Sequence, residues 1–158
     1  MFQAKKSLAT SKFAQYADLI QQAEGLLGDE TDGIANTANL AALIYDSLGD
    51  LNWAGFYFMR DGELVLGPFQ GPVACTRIKK GRGVCGASWA QAETLIVPDV
   101  EKFPGHIACS SLSKSEIVVP VIRNNNVVAV LDIDSIEPGH FDETDKKYLE
   151  QIVDLIPF

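Results

Sequence analysis

The sequence predicts one α+β domain built around an antiparallel sheet. Three observations lead there. Helical spacing dominates up to Gly49, strand-like alternation with hairpin turns takes over from Leu51, and one capped helical pattern closes the chain. At 158 residues, with no internal linker and no repeat, the length suits a single core.

Phe13, Tyr16, Ala17, Ile20 and Ala23 recur at three and four, which predicts a first helix, broken at Gly25–Asp32. Thr31 is placed to cap a second, whose face carries Ile34, Thr37, Ala38, Ala41, Ile44, Tyr45 and Leu48, with Gly49 at its C′ position. Trp53 to Met59 then reads as a strand, Asp61-Gly62 as a hairpin turn and Glu63 to Leu66 as the return strand. Gly67-Pro68 and Gly71-Pro72 mark loops before a strand from Val73 to Ile78. A short helix from about Val84 to Gln91 and a short strand from Thr94 to Val97 follow. Between Pro98 and Lys114 two prolines, a glycine and no period predict a long loop, and such loops inside compact domains are usually functional. Glu116–Ile122 and Val127–Asp134 form the clearest strand pair. Asp142, with Asp145 three residues on, starts a last helix with Leu149, Ile152 and Val153 on its apolar face.

Composition narrows the function class. A hydrophobic fraction of 47% with 22% charged residues excludes a disordered chain. No apolar run approaches the ~20 residues of a membrane helix, and no apolar block follows Lys5-Lys6, so the expectation is a cytoplasmic protein with no membrane partner. A net charge of −8 argues against gripping a phosphate backbone, so no nucleic-acid partner is expected. Lys79, Lys80 and Arg82 are the local exception, and a solvated loop accounts for them. Three cysteines without a Cys-x-x-Cys pair make no secreted disulfide framework. In a reducing compartment such thiols are buried hydrophobes, metal ligands or chemistry.

The strand pair is the most informative piece. With a three-residue loop at 124–126, Arg123 pairs with Val127 and Glu116 with Asp134. One face then holds Ile117, Val119, Val121, Val127, Ala129, Leu131 and Ile133; the other holds Glu116, Val118, Pro120, Val128, Val130, Asp132 and Asp134. A two-residue loop would set Glu116 against Ile133, a poorer match. The favoured register gathers three carboxylates at one end of one face. Like charges so close call for a compensating cation or a shared proton, and a solvent-exposed face, a divalent metal and an organic ammonium all stay open. Trp53 and Tyr57 point the same way from one strand, as core or as the wall of a small pocket where sulfur and methyl groups pack well.

Gly81-Arg82-Gly83-Val84-Cys85-Gly86 fits the dinucleotide pattern G-x-G-x-x-G, yet the strand order looks antiparallel, and glycines in a tight turn explain it better. Cys75, Cys85 and Cys109 with His106 could be counted as a zinc set, but they lack the close ligand pairs of structural sites, so no metal is expected. Cys109 sits late in the long loop near His106, Lys102 and Lys114, and Cys75 and Cys85 flank the basic cluster. Nearby positive charge favours a thiolate, and three thiols with one on a loop suit attack followed by disulfide resolution.

Asn52-Trp53-Ala54-Gly55-Phe56-Tyr57, Leu66-Gly67-Pro68-Phe69-Gln70-Gly71 and the Gly81–Gly86 run together resemble the free methionine-(R)-sulfoxide reductases, which are single GAF-type domains. So do Phe103-Pro104-Gly105-His106-Ile107-Ala108-Cys109, Ser115-Glu116-Ile117-Val118-Val119-Pro120 and Val130-Leu131-Asp132-Ile133-Asp134-Ser135. The resemblance covers roughly Leu40 to Leu155. Residues 1–30 resemble nothing diagnostic and read as the helical start of a single domain, 1–158. The resemblance implies a six-stranded antiparallel sheet with helices packed on one side and the pocket on the other. It implies thiol-dependent reduction of free L-methionine-(R)-sulfoxide, with no bound cofactor and with thioredoxin or another dithiol as reductant. By motif, Cys109 matches the attacking cysteine, Cys75 the principal resolving cysteine and Cys85 an auxiliary third. Glu116, Asp132 and Asp134 match the substrate-site carboxylates, and Trp53 and Tyr57 the aromatics around the methyl end. Ser110 departs from the acidic residue that follows the loop cysteine in many relatives. The alternative is a non-catalytic GAF sensor, which would not need three cysteines and usually sits beside an output domain for which little chain remains after Asp142. A homodimer stays open.

Overall fold

The computed structural model describes residues 2–5, 7–106 and 112–157. Helices α1 Lys12–Leu27 and α2 Gly33–Ser47 precede strands β1 Leu51–Arg60, β2 Glu63–Gln70 and β3 Arg77–Ile78; helix α3 Gly83–Gln91, strands β4 Leu95–Val97, β5 Ser115–Arg123 and β6 Asn126–Ser135, and helix α4 Glu143–Asp154 follow. The strands form one six-stranded sheet in the order β3-β2-β1-β6-β5-β4, antiparallel at each junction. The glycine-rich run therefore has no parallel unit around it. Gly81 and Gly83 have positive φ, and a Cβ on Gly86 would stand 2.4 Å from the Lys79 carbonyl oxygen. Those glycines build a turn.

The inner strands serve two cores, because successive side chains leave a strand on opposite faces. In β1, Ala54, Phe56 and Phe58 join the large cluster that also holds Tyr16 of α1, Leu40 of α2 and Leu149 of α4. Trp53 and Tyr57 leave the other way, into a second cluster with Val84 and Cys85 of α3. β5 and β6 follow suit: Ile117, Val119, Leu131 and Ile133 face the three helices, and Val118 and Val130 face α3. Pro120 is tolerated inside β5 because β4 stops opposite Val118 and leaves an edge there.

Several local expectations are corrected. The buried stripe of α1 is Tyr16, Leu19, Ala23 and Leu27, with Phe13 65% exposed, and the helix runs through Gly25 to Leu27. The Tyr16 hydroxyl finds a buried acceptor in Asp145 at 2.7 Å. Asp32, not Thr31, caps α2 by accepting from the Ala35 amide, and Ile34 lies outside its buried face. The left-handed residue after α2 is Asp50 (φ 59), not Gly49. β2 continues through Gly67-Pro68 to Gln70, its register shifting against Gly55 and Tyr57, and the strand expected from Val73 shrinks to Arg77–Ile78. The last helix is as expected, with a capping box between Asp142 and Asp145.

The β5–β6 hairpin combines the two registers weighed from sequence. Asn124 (φ 50) and Asn125 (φ 62) make a two-residue turn, so Arg123 pairs with Asn126 and Ile122 with Val127. A shift between Val121 and Ile122 then restores Val121 opposite Ala129 and Glu116 opposite Asp134. The extra residue exchanges the expected faces of two valines. Val128 packs toward the helices and Val127 toward the α3 side.

Candidate active site

Register places the carboxylates. Asp134 stands between Glu116 on β5 and Trp53 on β1, and Asp132, two residues along the same face, stands between Val118 and Gly55. A Cβ on Gly55 would lie 2.6 Å from Trp53 Cη2, so only bare backbone leaves room for the indole over the sheet. Trp53 stacks on Phe69 (centroids 5.3 Å apart) and on Tyr57 (5.9 Å), and its Nε1–H donates to the Pro72 carbonyl at 3.1 Å. The aromatic wall and the three acids line one pocket, closed on another side by the first turn of α3. No side chain caps α3 at Arg82, and Gly83, Val84 and Cys85 of that turn face the same space.

Glu116 and Asp132 are 6% and 8% exposed, which removes the reading of a solvated sheet face; Asp134 is partly buried. Burial first, and then a neighbouring acid, pushes each of the three carboxyls well above the usual carboxylate range. The Cys85 thiol is raised in the same way by burial and by Asp132, with which it shares a side-chain hydrogen bond. The basic residues around it do not make it a thiolate, contrary to the sequence expectation. Burial also raises the Tyr57 hydroxyl, and lowers His106, whose Nε2 lies 3.6 Å from Glu116 Oε2.

Seven of the eight residues singled out from sequence fall within the described residues. Trp53, Tyr57, Cys85, Glu116, Asp132 and Asp134 line the pocket together. Cys75 packs against the same apolar cluster and is disulfide-bonded, whereas Cys85 is a free, buried thiol. Cys109 and Ser110 lie outside the described residues. The sequence reading missed Asn52 and Ser113: the Asn52 amide donates to Ser113 Oγ at 3.0 Å, and the Ser113 hydroxyl hydrogen-bonds Asp134. Arg82, read from sequence as a solvated cation and as positive charge near the thiols, lines the pocket as well.

The family model for the GAF domain matches residues 35–157. GAF domain-containing protein A of Dictyostelium discoideum is 58% identical over 147 residues, covering 92% of each chain. The Escherichia coli free methionine-R-sulfoxide reductase is 49% identical over 138 residues, 87% of this chain and 84% of that one. The crystal structure of the free methionine-R-sulfoxide reductase from Neisseria meningitidis in complex with its substrate superposes with a TM-score of 0.95 at 48% identity, covering 99% of this chain and 94% of that one. A six-stranded antiparallel sheet, acids and aromatics converging on one face, and identity at this level over nearly the whole length lead to one assignment: the chain belongs to the GAF domain family, among the free methionine-R-sulfoxide reductases.

Proposed function

We propose that this chain reduces free L-methionine-(R)-sulfoxide to L-methionine, with a cysteine as the first electron donor. The observation that carries the reading is one pocket lined by a stacked Trp53–Tyr57 wall together with Glu116, Asp132 and Asp134. Each part of the substrate finds a fitting surface. The S-methyl group packs on the aromatic wall. The ammonium meets the acid cluster, and the α-carboxylate meets Arg82 and the uncapped N-terminus of α3. A buried acid that keeps its proton donates a hydrogen bond to the sulfoxide oxygen and then transfers that proton.

Cys109 attacks the substrate sulfur. Two electrons pass from the Cys109 sulfur to the substrate, the S–O bond breaks, methionine leaves, and oxygen remains on Cys109 as a sulfenic acid. The Cys75 thiol attacks that sulfur, a disulfide forms and water leaves. Thioredoxin or another dithiol supplies two electrons and two protons to restore the thiols, as a reducing cytoplasm allows. Disulfide-bonded Cys75 beside a free Cys85 supports this division of roles.

The test is turnover of the separated epimers of free methionine sulfoxide with a dithiol reductant, read by amino-acid analysis. The R epimer should react, and N-acetylmethionine sulfoxide, which lacks the ammonium, should be a poor substrate. EDTA should not lower turnover. Cys109→Ser should abolish methionine formation even in a single turnover, while Cys85→Ser should keep much of it. Asp134→Asn should raise KM about ten- to a hundredfold, the worth of one charge-assisted hydrogen bond. Full single-turnover activity in Cys109→Ser, or equal rates with the acetylated substrate, would defeat the proposal.

A further inference from the structure

Cys85, Glu116 and Asp132 come from α3, β5 and β6, yet the sulfur and one oxygen of each carboxylate lie within 4.8 Å of one another. All three residues are buried. His106 adds a ring nitrogen 3.6 Å from Glu116 Oε2. Asp132, a pocket-lining residue only 8% exposed, has a buried Oδ1 without a hydrogen-bond partner among the described residues. A buried oxygen of that kind is costly unless a donor or a cation enters the space it faces.

We propose that this pocket also binds one divalent cation of the zinc class, held by Cys85, Glu116 and Asp132 with His106 as the fourth ligand. The donor set selects the ion. Thiolate and imidazole suit zinc and its borderline neighbours, whereas magnesium and calcium want shells of oxygen. Bonds of about 2.0–2.3 Å in a tetrahedron put ligand atoms roughly 3.3–3.8 Å apart. Two strands and a helix already hold three of the four ligand atoms within 4.8 Å of one another, near that spacing. The ion and an amino acid's ammonium compete for the same carboxylates, so the cation acts as an inhibitor and not as a cofactor. The metal site itself does not rest on the reaction proposed above.

Cobalt(II) is the probe, because a thiolate–cobalt bond gives a near-ultraviolet charge-transfer band and tetrahedral cobalt gives strong visible bands. Untagged full-length protein, oxidised to one free thiol per chain, is titrated with cobalt(II) and then with zinc(II). One equivalent of cobalt should saturate both sets of bands, and one equivalent of zinc should abolish them. Cys85→Ala should lack the charge-transfer band. Glu116→Gln should bind cobalt more than about tenfold more weakly. Circular dichroism of each variant without metal checks that it is folded. Absence of the bands from the wild-type protein overturns the site outright. The same charge-transfer band in folded Cys85→Ala, or undiminished affinity in folded Glu116→Gln, overturns it as well.

Discussion

Asp132 and Glu116 lie side by side in the pocket, and burial opposes the charged form of each. An acid whose pKa is higher in the folded chain than in the unfolded one holds more protons when folded between the two values. Stability then falls as pH rises through that window. The contribution is fully present below the unfolded value of about 4 and is lost as pH climbs toward the raised folded value. Asparagine or glutamine keeps the shape and has no charge to bury. Asp132→Asn and Glu116→Gln should therefore melt above the wild type at about pH 8 and converge with it toward about pH 4. The difference grows by at most about 1.4 kcal/mol per pH unit and group, on the order of 3–5 °C for a chain this long. Calorimetry across pH decides it, and a wild type more stable than both variants at the alkaline end refutes the picture of buried acids holding protons. The same substitutions should lower activity, so stability and function diverge at these positions. The acids were legible in sequence because they share one face of a strand pair. The Asn52–Ser113 bond that supports Asp134 was not, since the two residues are 61 positions apart and no local period links them.

The elements owe their placing to a few polar contacts that a sequence shows unequally. The capping box of α4 was readable from Asp142 and Asp145, but the second role of Asp145 was not. Its buried carboxylate also accepts from the Tyr16 hydroxyl at 2.7 Å and pairs with Lys12 at 2.5 Å, tying α1 to α4. Removing it costs the cap and leaves the Tyr16 hydroxyl without its partner. Asp145→Ala should lose about 2–4 kcal/mol in urea unfolding, against about 1 kcal/mol for the exposed cap residue in Asp142→Ala. Equal losses would mean that Asp145 only caps. In the β5–β6 hairpin the acid register was readable from alternation, whereas the turn was not, because a bulge lets a two-residue loop and the better core match coexist. Asn124 and Asn125 both sit at positive φ, where glycine is easier at the second position. Asn125→Gly should stabilise the protein by about 0.5–1 kcal/mol without altering activity, and thermal melts with parallel assays check both halves.

At the scale of the whole molecule the sheet separates two tasks. One face is closed by α1, α2 and α4 into the main core; the other carries the pocket under α3. The helical face was legible from periodicity, while the pocket face was assembled from residues of a strand pair, a helix start and a loop that only tertiary packing brings together. The standing of α1 is the sharpest case. It lies before the segment matched by the GAF family model, residues 35–157, and no motif in it pointed to a role. Yet Tyr16, Leu19, Ala23 and Leu27 are buried in the same cluster as Leu40, Leu149 and Ile152. Deleting residues 1–30 would leave the rest of the chain with its conformational entropy still to lose, while α2 and α4 lose their apolar cover and Asp145 loses both Tyr16 and Lys12. Burying a large apolar side chain is worth about 1.5–3 kcal/mol. Three such side chains and the Asp145 contacts make a loss of several kcal/mol, on the order of half of the 5–15 kcal/mol that holds a typical domain together. The chain 31–158 should therefore be largely unfolded or aggregated at 37 °C, although every residue that lines the pocket is still present. Circular dichroism melts of the truncated and full chains check this, and a truncated chain melting within a few degrees of the full one would show that α1 is an appendage and not part of the core.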